Sequence, residues 1–551
     1  MPGAKEKVVM SLVKLMRFLS IFAHNRRGVI GMLIISGFAV MALGAPLLTP
    51  YDPVRDKFIT GSYSAPLWLK YVPAALGGMP GAAENMQVED NAGFSDGLTG
   101  WNFTGGSNVS ISYSSSVGDK EDGSAKITFK RNETGKTYGS VSVALSKQFY
   151  FPYSGSPRKF IANMSLRAEG TTQYGNYTTW EWINETLGKG RSIKITQDVL
   201  DTKVKMYLYL QRVSDGKIYA IWPYQAETAR GLDIKPPVFQ SNKLPMVGLI
   251  YAATDTWISS GIYVADSDVI RYFNVSDTSR EVFMSNSMPG DFVFGVNMTF
   301  LDTNGTRPVE TSIYVDDFRL DLAGRVWGLM GSDHYGSDLW SQLVYGARIS
   351  LYVGLVASVI GVVLGLIVGL AAGYMGKYAD ELLMRLSDML LVIPTLPLLI
   401  VLIAVLGPNL ENLILLIGLL GWMGFARVVR SQVLSIKERP FVEAARAVGA
   451  GRIHIMAKHI LPNVISLVYV SLATSVPGAI VAEAALSFLG FYDPNKMSWG
   501  RMLYEVQMNG AAQYWWWVVP PGLCIAFLAV AFILLGFALD EVFNPRLRMR
   551  R

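Results

Sequence analysis

A single cysteine, Cys524, stands in 551 residues and lies within an apolar run, so no intrachain disulfide braces any part of this chain. Any domain outside a membrane must be held by its core alone. The four histidines are scattered and make no metal site. No nucleophile–base constellation is present, so no catalytic residue is assigned. The only Gly-Lys-Thr, residues 135–137, lacks the upstream glycine of a phosphate-binding loop. Charged residues make up only 17%, against 51% hydrophobic, and the mean hydropathy is +0.29. That is too apolar for an ordinary soluble protein and too polar for a pure membrane bundle, so a composite is expected. The net charge of +6 is not a nucleic-acid signature, because Lys and Arg gather beside apolar runs.

Six runs are long enough to span a bilayer, which takes about 20 residues each. They cover 28–49, 348–374, 384–407, 410–432, 463–490 and 516–538. The first is too long for the apolar core of a signal peptide and reads as a retained helix. Basic residues mark three segments: Lys5, Lys7, Lys14, Arg17, Arg26 and Arg27 at the start; Arg427, Arg430, Lys437, Arg439, Arg446, Arg452 and Lys458 after the fourth run; Arg546, Arg548, Arg550 and Arg551 at the end. Six spans put all three on one side, which the positive-inside rule makes cytoplasmic. Residues 1–27 and 542–551 are then cytoplasmic tails. The short loop 408–411, the loop 491–515 and the long segment 50–345 face outward.

That long segment changes texture. Residues 124–130, 204–210, 217–222 and 312–320 alternate β-branched or aromatic residues with polar ones, and Gly, Asn, Asp and Ser clusters separate them. Short strands without a helical period predict a β-sandwich or jelly roll over 84–322. Nine N-x-S/T sequons, at Asn102, Asn108, Asn132, Asn163, Asn176, Asn184, Asn274, Asn297 and Asn304, all fall in this insert. They predict a glycosylated surface domain, which in a prokaryote suggests an archaeon. Trp101, Trp180, Trp182, Trp222 and Trp257 are either core or a platform for stacking sugars. Asp96, Asp316 and Asp317 are hard oxygen donors that suit a structural Ca²⁺. The opening NAGFSDGLTGW (91–101) and closing SIYVDDFRL (312–320) look like the two ends of carbohydrate-binding-module jelly rolls.

Residues 442–463 read VEAARAVGAGRIHIMAKHILPN. The first part favours helix; Gly449 and Gly451 break it. A second helix over 452–460 places Ile453, Met456, Ala457 and Ile460 on one face. Pro462 suits the first turn of the next helix. Alone, this is also what a basic amphipathic helix on lipid headgroups looks like. The order Glu443-Ala444-Ala445, Gly449, Leu461-Pro462 resembles the EAA signature of the permease subunits of ABC importers. His459 stands where the general pattern prefers Ile, a change that the peptide-transporter branch accepts.

The rest of the chain resembles one branch of that family. The pieces are Pro50-Tyr51-Asp52-Pro53, GSDHYGSDLWSQLVYGARISL (331–351), AEAALSFLGF (482–491), SWGRML (498–503) and NPRLR (544–548). They are similar to the C-type permease of dipeptide and oligopeptide transporters, with the permease domain over 330–541. Ser337 and Gln342 replace arginines usual in that family, and the insert is foreign to it. The resemblance implies a six-helix type I importer fold with an all-β insert and no ATPase site of its own. It implies a homologous second permease, two ATP-binding subunits holding ATP and Mg²⁺, and an extracellular substrate-binding protein. Glu443 would contact the motor, Ala444 and Ala445 would allow close approach, and Gly449 would supply the turn. Two intramembrane acids, Glu483 and Asp388, are candidates for the translocation pathway. For Asp388 an ion pair with Arg427 is the competing role. The substrate reading is short peptides, with oligosaccharides as the alternative within the branch. A membrane-anchored glycan receptor is a third reading, against which six spans and an EAA segment argue.

Overall fold

A computed structural model describes residues 25–543 apart from 89–92, 120–122, 185–188, 217, 222–231, 234–247, 251–256, 267–288 and 303–304. The basic residues before Asn25 and the NPRLR segment from Asn544 therefore lie outside the described residues. The chain divides into two compact units: Met1–Lys57 with Ser337–Arg551, and Phe58–Gly336.

The first unit is helical. Helix α1 (Arg26–Leu43) starts where the Asn25 side chain accepts from the backbone N–H groups of Arg27 and Gly28. It is followed by α2 (Leu339–Met375), α3 (Lys377–Val392), α4 (Thr395–Leu406), α5 (Leu410–Leu419) and α6 (Met423–Ile436). Next come α7 (Pro440–Ala447), α8 (Arg452–Ile455), α9 (Leu461–Phe488), α10 (Trp499–Met508) and α11 (Trp515–Phe543). Among the described residues, five stretches are long and apolar enough to cross a membrane: Arg26–Leu43, Leu339–Met375, Leu410–Ile436, Arg452–Phe488 and Trp515–Val542. The sixth, expected as one span over 384–407, is instead the pair α3 and α4, bent by 90°. Ile393 is extended (φ −74°, ψ 126°), as a residue before proline prefers, and Pro394 starts the new helix.

Helix α2 is the axis of this unit, and glycines set its contacts. Gly361, Gly365, Gly369 and Gly373 repeat every fourth residue. A Cβ at Gly369 would lie 2.6 Å from Ala426 O and from Val429 Cβ; one at Gly373 would lie 2.6 Å from Val433 Cβ. Helices α2 and α6 thus pack backbone to backbone, the small-residue mode of lipid-embedded helices. On α3, Arg430 of α6 bonds Asp380, its Nη2 at 2.6 Å from Oδ2, and Arg427 bonds Asp388.

The second unit is an antiparallel β-sandwich. One sheet runs β13 (Ile258–Asp266), β6 (Lys159–Gly170), β15 (Val309–Ala323), β4 (Ser124–Arg131), β3 (Val109–Ser114), with β1 (Met86–Gln87) also on β15. The other runs β11 (Leu232–Asp233), β12 (Gly248–Ile250), β9 (Thr202–Arg212), β14 (Gly290–Asp302), β5 (Gly139–Phe151), β2 (Asn102–Thr104), with β10 (Ile218–Ile221) on β9. Strands β7 (Thr172–Asn184) and β8 (Lys189–Leu200) form a separate two-stranded ribbon. Alternate residues of the two sheets fill the core, including Phe129 on Phe300 (5.5 Å between ring centres) and Phe294 on Phe318 (4.7 Å). Arg131 and Asp302 are buried as an ion pair at 3.0 Å, and the Asp302 carboxylate also accepts from Tyr138 N–H.

The segments that begin and end this unit are fastened together. Ser64 N–H donates to Ser332 Oγ (2.8 Å), and Ala65 bridges Val326 in parallel. Asn85 Oδ1 accepts from Thr60 Oγ1 (2.7 Å) and Gly324 N–H (2.8 Å).

Candidate coupling site

Pro440 opens α7, where a missing N–H costs nothing, and Gly449 closes it. Gly449 has φ +87°. Its N–H bonds Arg446 O (3.0 Å), and Ala450 N–H bonds Ala445 O (3.1 Å). This is the Schellman arrangement, whose left-handed residue favours glycine. Gly451 then caps α8 with an ordinary φ of −66°.

Leu461 N–H reaches back five residues to Met456 O, so a π turn (Met456–Ile460) joins α8 to α9. The extra residue changes the phase of the helix. The face expected from a 3.6-residue period does not form: Ile453 is 78% exposed and Ala457 is exposed, while Met456 is half-buried. The buried positions are Ile455 and Ile460, five apart, together with Val442 of α7. These three join Phe425, Val429 and Val433 of α6 and Val362 of α2 in one apolar cluster. His459 is half-buried, its ring 6.5 Å from that of Phe441, and its carbonyl accepts from Asn463 Nδ2 (2.7 Å). Leu461 and Pro462 begin α9.

The outer surface carries Glu443, Ala444 and Ala447, flanked by Val448 (88% exposed), Ile453 and Phe441. Ala445 is half-buried beneath them. The site thus sets one carboxylate among small and apolar side chains, beside the exposed Arg446, Arg452 and His454, on two short helices anchored into α6. The sequence reading missed the exposed Val448, Ile453 and Phe441. The signal was available: apolar residues beside the Gly449 and Gly451 turns have no helical face to share.

Of the two intramembrane acids, Asp388 is exposed and ion-paired with Arg427. Glu483 is 1% exposed, and its Oε1 accepts from Ser487 Oγ at 2.7 Å. The structure does not bring the two acids together: they lie on α3 and α9. Ser337 and Gln342 are both buried.

In the sandwich, Trp101 is core: it is 8% exposed and stacks on Phe318 at 5.0 Å. Trp180 and Trp182 belong to the ribbon strand β7 and Trp257 precedes β13, while Trp222 lies outside the described residues. Asp316 is buried at a bulge of β15 and accepts from the N–H groups of Asp119 and Asp317, both at 2.7 Å. Burial, against these two bonds, lifts its carboxyl from 3.8 to about 6. Asp96 is on an exposed turn, and the carboxylates of Asp96, Asp316 and Asp317 do not converge within 4.8 Å of one another. Asn102 and Asn132 are exposed, and Asn108, Asn163 and Asn297 are half-buried. Asn176 and Asn184 lie on β7, and Asn274 and Asn304 lie outside the described residues. Gly135–Thr137 sits on the turn from β4 to β5 rather than before a helix, with Lys136 3.4 Å from Glu133.

Residues 361–549 match the family model of the binding-protein-dependent transport system inner membrane component. Residues 15–66 match the N-terminal TM domain of oligopeptide transport permease C. A Brucella abortus protein described as a peptide transport system permease is 39% identical over 222 residues, 40% of this chain and 74% of that one. The dipeptide transport system permease protein DppC of Bacillus subtilis is 38% identical over 219 residues, 40% of this chain and 68% of that one. A family 11 carbohydrate-binding module from Clostridium thermocellum is similar over 45% of this chain and 98% of its own, at 10% identity and a TM-score of 0.21, too slight a likeness to argue from.

Proposed function

This chain belongs to the family of binding-protein-dependent transport system inner membrane components, and we propose that it is the permease subunit of an ABC importer for short peptides. The observation that carries the reading is the pair of helices α7 and α8. They present Glu443 and three apolar side chains outward and are anchored inward by Val442, Ile455 and Ile460. A membrane helix that only anchors a receptor needs no such surface. The peptide-permease relatives supply the substrate class.

In this reading one of two ATP-binding subunits binds the exposed face of α7 and α8, and a homologous permease takes the other and completes the membrane pathway. The anchoring cluster passes movement to α6. The glycine contacts make α6 and α2 one rigid body, so a shift of α7 is delivered to the pathway helices without slack. Both termini and the α7–α8 surface face the cytoplasm. The sandwich faces outward, where it is glycosylated at its exposed sequons and stands beside an extracellular substrate-binding protein.

The test is reconstitution of the full complex in liposomes with labelled substrates. ATP-dependent uptake of short peptides that needs the binding protein is the expected result. Uptake of oligosaccharides and not peptides would replace the substrate class and keep the permease. No uptake of either, with the ATPases failing to co-purify, would overturn the reading.

A further inference from the structure

The sides of the membrane helices that this chain leaves open differ in kind. On α2 the open side carries Leu355, Val359, Val363 and Ile367, an aliphatic residue at every fourth position, as a face toward lipid should. On α6 it carries Gly424, Arg427, Val428, Ser431, Gln432 and Ser435. A helical period of 3.6 residues puts these on one side, opposite the buried Phe425, Val429 and Val433. Arg427 on this side is paired with Asp388 of α3, and the two side chains are 48% and 60% exposed.

The pair is not at the end of the span. Ala426 lies beside Gly369 of α2, where a Cβ would come 2.6 Å from Ala426 O. Beyond Gly369, α2 stays apolar through Met375, and Lys377 brings the first charge. At 1.5 Å per residue the pair therefore sits about 9 Å inside the end of that apolar run. Gly424 is one turn deeper. An arginine can snorkel to the headgroups along its stem, but an aspartate has one methylene and cannot. A charged pair open to hydrocarbon is costly, and charges at such depth face a bundle interior or a water-filled cavity.

We infer that this side of α6, with Asp388 across from Arg427, faces water in the assembled transporter and lines the cytoplasmic half of the substrate path. The ion pair gives that path one fixed group of each sign. That substrate passes there rests on the permease reading; that the face is wet does not.

Single cysteines in a Cys524→Ala background, in the full complex in liposomes, test the face. The probe is a membrane-impermeant cationic methanethiosulfonate on both sides of the membrane, read as added mass on this chain. The thiolate is the reacting form, and a thiol in hydrocarbon or packed against protein stays protonated. At Gly424 a Cβ meets nothing within 4 Å, so Gly424→Cys adds no clash. It should react within about tenfold of the rate at the exposed Lys377→Cys, while Ile367→Cys on the aliphatic side of α2 should be slower by about a hundredfold. Val428→Cys, on the same side of α6, is the reporter should Gly424→Cys fail to assemble. Equal rates on the two helices would overturn the inference, whether both are slow, because lipid or the second permease covers α6, or both are fast. Fast labelling of α6 in a complex that takes up neither peptide nor oligosaccharide would count against the permease reading alone.

Discussion

Replacing Gly449 by alanine isolates the α7 turn from every other variable. A Cβ there meets nothing within 4 Å, so no steric contact is created. The whole cost is conformational. Gly449 has φ +87°, and an L residue in that region costs about 1–2 kcal/mol. Gly451, two residues on, is equally open but has φ −66°, so Gly451→Ala carries no such penalty. A penalty of that size lowers the population of the Schellman turn by a factor of about 5–30 relative to other turns. The anchors Val442 and Ile455 are buried on either side of the turn, so the change is confined to how Glu443, Val448 and Ile453 are presented. ATP-driven uptake should fall by up to that factor in Gly449→Ala and stay near the parent in Gly451→Ala. Expression and thermal midpoint should be alike in both. Equal uptake in the two variants would refute the idea that this turn presents the motor-binding surface.

Asp302→Ala would take the buried carboxylate away from the buried Arg131 charge and should destabilise the sandwich by about 3–5 kcal/mol, read as a lower thermal midpoint of that unit. The native Asp316 carboxyl, lifted to about 6, binds more protons than the unfolded one between about pH 4 and 6. Sandwich stability contributed by this group should therefore fall as pH rises through that window, and the slope should vanish in Asp316→Asn; a midpoint that rises with pH through Asp316 would contradict this. Gly369→Val must push α2 off α6, costing about 1–3 kcal/mol or more, and should lower both the detergent-solubilised thermal midpoint and the yield of folded protein.

Much of the architecture was legible because it rests on hydrophobic period. Alternation at residues 124–130, 204–210 and 312–320 marked β4, β9 and β15, and uninterrupted apolar runs marked α1, α2, α9 and α11. What was misread turns on single backbone events. Pro394 was visible, but a proline within a membrane run can bend or break it, and here it breaks α3 from α4 by 90°. The π turn at Met456–Ile460 carries no sequence signature, and it moved Ile453 from the expected inner face to the outside. The glycines from Gly361 to Gly373 did carry a signature, a repeat of four, that went unread. Trp101 shows the limit of composition: an indole that suits a sugar platform suits a packed sandwich equally, and only its neighbours decide. The charge pairing of Arg430 with Asp380 depends on α3 lying along α6, which no local pattern states.

The clasp between Ser64 and Ser332, with Ala65 beside Val326, has a further meaning for how such a chain can change. The whole sandwich leaves and rejoins the polypeptide through two segments held a hydrogen bond apart. To the helices on either side it is a loop whose ends are already closed, so its size adds almost nothing to the entropy of bringing them together. The bonds that close the two ends therefore belong to the sandwich's own unit.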